Sequence, residues 1–191
     1  YAGNHTVKVT DAITPATATF TVVPSVTITS PTTKTGAVGS SVTVQGAGFT
    51  PSVSAYVYIG NDSSNPPAGN LTVAQVPLTD PTGGFTVTGT IPPVKSGKHY
   101  VWGLDLQNQA TTGNNTDVFT VTPSISVSPT SGLAGSTVTI SGTGWEDSSV
   151  VGNVTLTFGG AFWANVQADH NGQIATSTPT LTGALTGVNQ I

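Results

Sequence analysis

The sequence predicts an all-β fold of two antiparallel β-sandwiches, the second incomplete in cis, and three observations predict it. Charge is scarce: among 191 residues there are four Lys, no Arg, seven Asp and one Glu, against abundant Thr, Ser, Gly, Val and Pro. That is far below the usual quarter of charged residues. Short runs such as Ser41–Gln45, Phe85–Gly89, Phe119–Thr122 and Thr137–Ser141 place β-branched residues on period two between Gly and Pro, and no stretch has helical periodicity. Strands at 8- to 12-residue spacing are the pattern of a sandwich. Finally, Gly39-Ser-Ser-Val-Thr-Val-Gln-Gly-Ala-Gly-Phe49 recurs as Gly135-Ser-Thr-Val-Thr-Ile-Ser-Gly-Thr-Gly-Trp145, so the chain contains repeats.

The repeat divides the chain into three parts. Residues 25–123 form a complete domain: the Gly39–Phe49 strand, a turn and strand at Asp80-Pro-Thr-Gly-Gly-Phe85, and two closing strands at Ser96–Asp105 and Phe119–Pro123. Residues 124–191 repeat the first part of this order, with Asp169-His-Asn-Gly-Gln-Ile174 matching the turn and strand, but stop before the last two strands. The missing pair has its counterpart in residues 1–24. Ala2–Asp11 aligns with Ser96–Asp105, sharing the Gly, the His and the Asp, and Phe20–Pro24 aligns with Phe119–Pro123.

A sandwich short of two strands of about seven exposes the inner face of one sheet and leaves unpaired edges, which seek a strand or aggregate. An isolated hairpin is equally marginal in water. Its apolar positions Val7, Val9, Ala16, Ala18, Phe20 and Val22 form the candidate subunit interface. In an antiparallel sandwich of seven strands the first strand begins at one pole and the last ends at the other. The middle domain therefore holds the two incomplete ends apart by roughly 25 Å, taking strands of about 8 residues. Repair in trans follows: residues 1–24 of one copy enter residues 124–191 of the next. A heterologous contact that does not close grows an open fibre.

The stretch Val127-Ser-Pro-Thr-Ser-Gly-Leu-Ala-Gly-Ser-Thr-Val-Thr-Ile-Ser-Gly-Thr-Gly-Trp145 resembles the opening strands of immunoglobulin-like repeats in prokaryotic, particularly archaeal, extracellular surface proteins. The resemblance implies two immunoglobulin-like antiparallel β-sandwiches on a cell surface. The exchanged hairpin is similar to donor-strand complementation in archaeal thread-like filaments and bacterial pilins, which implies a glycosylated head-to-tail homopolymer. It departs from that pattern in offering two strands rather than one.

Other functions find little support. No nucleophile stands with a base, and no cofactor is implied. His5 and His99 occupy equivalent repeat positions and read as structural, while His170 lies in the Asp169–Gly172 turn, where Asn-Gly favours positive φ. The pairs Gly46/Gly48 and Gly142/Gly144 lack the third Gly and the helix of a dinucleotide site, and read as bend or bulge glycines. Glu146 and Asp147, which replace Thr50 and Pro51 of the other copy, are a loop carboxylate pair of the kind that ligates Ca²⁺. Tyr56 and Tyr58 share a strand face, and with Trp102 offer the aromatic platform of a carbohydrate-binding module as an alternative to core packing.

With a formal net charge of −4 and no basic cluster, neither nucleic acid nor an anionic membrane is an expected partner. No apolar run approaches the roughly 20 residues of a membrane span. The absence of Cys and Met suits an extracellular place on the cell surface. Five sequons, at Asn4, Asn61, Asn70, Asn114 and Asn153, are candidate N-glycan acceptors. The chain reads either as a processed mature subunit or as a window from a longer tandem-repeat surface-layer or adhesin protein, which would give the same repeat phase.

Overall fold

The computed structural model describes residues 1–11, 13–61, 71–107 and 117–177. The chain divides into two compact units. One comprises residues 1–35, 40–92 and 98–120; the other comprises residues 36–39, 93–97 and 121–191. Among the described residues every regular element but one short helix is a strand.

The first two strands, β1 (Gly3–Thr10) and β2 (Pro15–Val22), form a separate two-stranded antiparallel sheet running from Gly3 opposite Val22 to Thr10 opposite Pro15. The Asp11 carboxylate closes it by accepting the Ile13 and Thr14 N–H groups at 2.8 and 2.6 Å. These bonds hold the Asp11 carboxyl below its usual range.

Eight strands follow: β3 (Ser25–Ser30), β4 (Thr35–Gly36), β5 (Ser41–Ala47), β6 (Ala55–Gly60), β7 (Leu71–Val76), β8 (Phe85–Thr90), β9 (Gly97–Asp105) and β10 (Asp117–Val121). They form two sheets, one of order β3-β5-β8 and one of order β4-β10-β9-β6-β7. Period-two alternation explains the core, since Val42, Val44, Ala55, Val57, Ile59, Val101, Phe119 and Val121 are all buried. Between β3 and β4 the chain passes from one sheet to the other. There the Thr120 and Thr122 N–H groups donate to the Lys34 and Gly36 carbonyls, the two-residue step of a parallel pair. Asp117 fastens this edge by accepting both Lys34 Nζ (2.7 and 2.9 Å) and the Ile28 N–H (2.8 Å). Burial works to raise its carboxyl, but the Lys34 bond, the Ile28 and Val118 N–H groups and the Lys34 charge together hold it below the ordinary value.

The second unit holds β11 (Ser124–Ser128), β12 (Thr139–Thr143), helix α1 (Ser148–Val151), β13 (Val154–Phe158), β14 (Ala161–Val166) and β15 (Ile174–Ser177). Its sheets are β11-β12-β15 and β13-β14. The registers repeat those of the other sandwich closely. Val26 faces Gly46 and Ile125 faces Gly142; the β6/β7 ladder slips between Val57 and Tyr58, and the β13/β14 ladder at the equivalent step between Leu156 and Thr157. The copies differ in β3, where a register shift between Ile28 and Ser30 has no counterpart in β11.

Two local expectations are corrected. β12 begins at Thr139, two residues later than the alternation from Thr137 predicts. A one-turn helix stands where none was expected: Asp147 caps it by accepting the Ser149 N–H at 2.8 Å, and Gly152 at φ +88° ends it.

Candidate assembly site

The two faces of the β1/β2 hairpin follow from its register. His5 faces Phe20, Val7 faces Ala18 and Val9 faces Ala16, so these residues share one side, with Val22 at its end. That side is uncovered: Val7 is 52%, Val9 68% and Phe20 62% exposed, Ala16 and Ala18 are exposed, and Val22 is half-buried. In the sandwich the corresponding side belongs to β9 and β10. There His99, Val101, Gly103 and Asp105, with Phe119 and Val121, are all buried. The starting glycines agree in backbone as well, Gly3 at φ +112° and Gly97 at φ +109°. One pattern is thus a core in one copy and a surface in the other.

The second unit shows the complementary condition. In the sandwich, two strands, β9 and β10, stand between β6 and β4. Among the described residues of the second unit, β13, the equivalent of β6, pairs only with β14, and no strand lies between it and the loop that follows β11. A cavity of about 310 Å³ opens there, lined by β11, that loop, β12, β13 and β14. Ile125 and Val127 line it on one side, Leu156, Phe158 and Trp163 on the other. Ile125 is 52% exposed, whereas Val26 at the equivalent place is 4% exposed. These lining residues escaped the sequence reading, although the alternation Val154, Leu156, Phe158 marks them as the counterparts of Ala55, Val57 and Ile59.

Asn4, Asn61 and Asn153 are exposed, and Asn4 Oδ1 accepts the Thr21 hydroxyl at 2.7 Å on the outer side of the hairpin. Asn70 and Asn114 lie outside the described residues. Tyr56, Tyr58 and Trp102 do meet on one sheet face, with ring centroids 5.8 and 5.1 Å apart and interplanar angles of 30° and 33°. Trp102 is only 3% exposed, whereas Tyr56 and Tyr58 are half-buried. Burial, with Tyr56 adding to it, pushes the Tyr58 phenol up.

The His5 ring donates to the Tyr1 carbonyl at 2.7 Å, and His99 is buried. Glu146 accepts the Ser96 hydroxyl at 3.3 Å, and Asp147 is occupied with Ser149, whose hydroxyl and N–H bonds hold its carboxyl low. No three metal-ligating side chains gather among the described residues. Within the Gly-x-Gly pairs only the second members, Gly48 and Gly144, have positive φ. The first members lie under side chains, Gly46 beneath Phe85 and Gly142 beneath Trp145 and Ile174. In the turn at His170 positive φ falls on Gly172 alone, and Asp169 holds the loop by accepting the Asn171 and Gln173 N–H groups, both at 2.9 Å.

Residues 123–190 match the model of the IPT/TIG domain family. The matched part is similar to an immunoglobulin-like module of a non-catalytic fold family, often found in surface or adhesion proteins. Among curated proteins none matches the chain. No helix among the described residues is long and apolar enough to cross a membrane.

Proposed function

We propose that this protein is a structural subunit of an extracellular, N-glycosylated filament or sheath, assembled when residues 1–24 of one copy complete the domain at residues 124–191 of the next. The observation that carries the reading is the repeat itself. The strand pair buried as β9 and β10 recurs as β1 and β2 with its apolar side exposed. The second unit meanwhile has a cavity bounded by the equivalents of the two elements that β9 and β10 separate. The hairpin would extend the β13/β14 sheet at the side of β13 that no described strand pairs with, and bring Phe20 into the core, as Phe119 is in the sandwich. Each joint is heterologous, and growth is open-ended where the rotation between successive copies does not close a ring. Its strength comes from apolar burial and backbone pairing, and the mechanical role needs no catalytic group.

The test is light scattering on the purified chain as its concentration is raised, beside Phe20→Asp. The parent should grow in mass with concentration, and the variant should remain one small species, because a buried unpaired carboxylate costs several kcal/mol. A variant that assembles like its parent, or a parent of constant mass, overturns the reading. If residues 1–191 belong to a longer tandem array, the same joints form within one chain. The intact mass decides this, since a discrete subunit weighs 19.1 kDa plus glycans.

A further inference from the structure

Three residues change together between the sandwich and the proposed joint. In the sandwich, the Phe49 ring reaches β9: a Cβ on Gly103 would stand 2.6 Å from Phe49 Cζ and 3.2 Å from Val26 Cγ1. Those separations are below van der Waals contact, so a side chain at position 103 would force the fully buried Phe49 ring to move. The ring is kept there because Phe85, 5.2 Å from it between centroids, already covers Gly46 on β5.

In the second unit Ile174 takes the place of Phe85 and leaves room over the strand. Trp145, in the place of Phe49, uses that room. Its Nε1–H donates to the Ser124 carbonyl at 3.1 Å, and a Cβ on Gly142 would stand 2.7 Å from Nε1. The indole therefore lies over β12, whereas Phe49 lies against β9. In the hairpin, the residue equivalent to Gly103 is Val9, the most exposed valine of its apolar side.

We infer that Val9 and Trp145 are a matched key that fits the hairpin to the second unit of another copy and excludes it from the first sandwich. This rests on the assembly reading above. Val9 has a place where the indole has withdrawn, but beside Phe49 only if that buried ring moves, so one copy's hairpin is hindered from displacing β9 and β10 of another. A second matched change points the same way. The sandwich pairs Asp117 with Lys34 across this edge, while the hairpin has Ala18 at the equivalent of Asp117 and the loop 129–135 contains no Lys. Neither partner therefore brings an unanswered charge to that edge of the joint.

The experiment is a double-mutant cycle on the full chain, read as the concentration at which half the subunits are polymerised. Val9→Gly removes the side chain. Trp145→Phe returns to the slot the ring that blocks it in the sandwich. Each single change should raise that concentration about tenfold or more, and the pair together should return it to within about threefold of the parent. A polymerising parent whose two effects simply add removes the key and leaves the assembly reading standing. A parent that never polymerises removes both. Thermal melting of the first sandwich, which contains neither residue, should be the same in all four proteins, and a shift would overturn the assignment of both residues to the joint.

Discussion

Gly83 and Gly172 occupy the same place in the two copies, each at positive φ and each against the backbone of the aromatic residue that lies two positions past the end of β5 or β12. The Phe49 N–H donates to the Gly83 carbonyl, and the Trp145 N–H to that of Gly172, both at 2.9 Å. A Cβ at Gly83, at φ +79°, would run into the Phe49 carbonyl, whereas one at Gly39, at φ +83°, would meet nothing within 4 Å. The two positions therefore separate strain from collision. Gly39→Ala should lose roughly 1–2 kcal/mol in chemical denaturation, the positive-φ penalty alone, and Gly83→Ala roughly 3 kcal/mol or more; equal losses would refute the collision.

Asp117 gives a second residue-scale expectation. Its folded pKa lies below the unfolded value of about 3.9, so its contribution is complete above the unfolded value and is lost as pH falls through the folded one. Asp117→Asn should be less stable than the parent by roughly 1–3 kcal/mol at pH 7. The difference should shrink steadily below about pH 4, and a gap constant down to pH 2 would contradict it. At this scale the sequence disclosed positions but not directions. Phe49 and Trp145 align without ambiguity, yet which way each ring turns depends on Phe85 and Ile174 more than 25 residues away, and no local pattern carries that.

Among elements, the strands of both copies were legible because β-branched alternation and Gly or Pro punctuation repeat with the fold, and the hairpin was legible only through its copy at β9 and β10. Helix α1 was not, since four residues are too few for any helical period and its cause is one cap at Asp147. The cavity was not legible either, because it arises from strands distant in sequence. The hairpin also carries a testable expectation of its own. A two-stranded ribbon open to water on both sides is marginally stable, whereas β9 and β10 lie in a five-stranded sheet over a core. In dilute protein the β1 and β2 amides should exchange within about a hundredfold of an unfolded chain, while those of β9 and β10 are protected far more strongly. In the polymer the two pairs should become comparably slow. Slow exchange of β1 and β2 in the dilute monomer would mean that the hairpin is already covered in its own chain, and donation would lose its driving force.

For the whole molecule, the sequence exposed the displaced phase of the repeat, and the structure adds what the displaced parts would bring together: an apolar ribbon and an apolar cavity with few charges near either. The ribbon carries Lys8 and Asp11 as its only Lys, Arg, Asp or Glu, in a chain of formal net charge −4. Joining them removes apolar surface from water and forms backbone pairs, and neither term is screened by salt, which acts on exposed charges over about 10 Å at 0.1 M. Hydrophobic association also weakens on cooling. The concentration for half-polymerisation should therefore change by less than about threefold between roughly 0.05 and 0.5 M NaCl, and should fall as the sample is warmed from about 5 to about 25 °C. An assembly that dissolved with added salt would have to be held by charged contacts, and would point to a joint elsewhere on the molecule, since β1, β2 and the cavity beside β13 have too few charges to supply them.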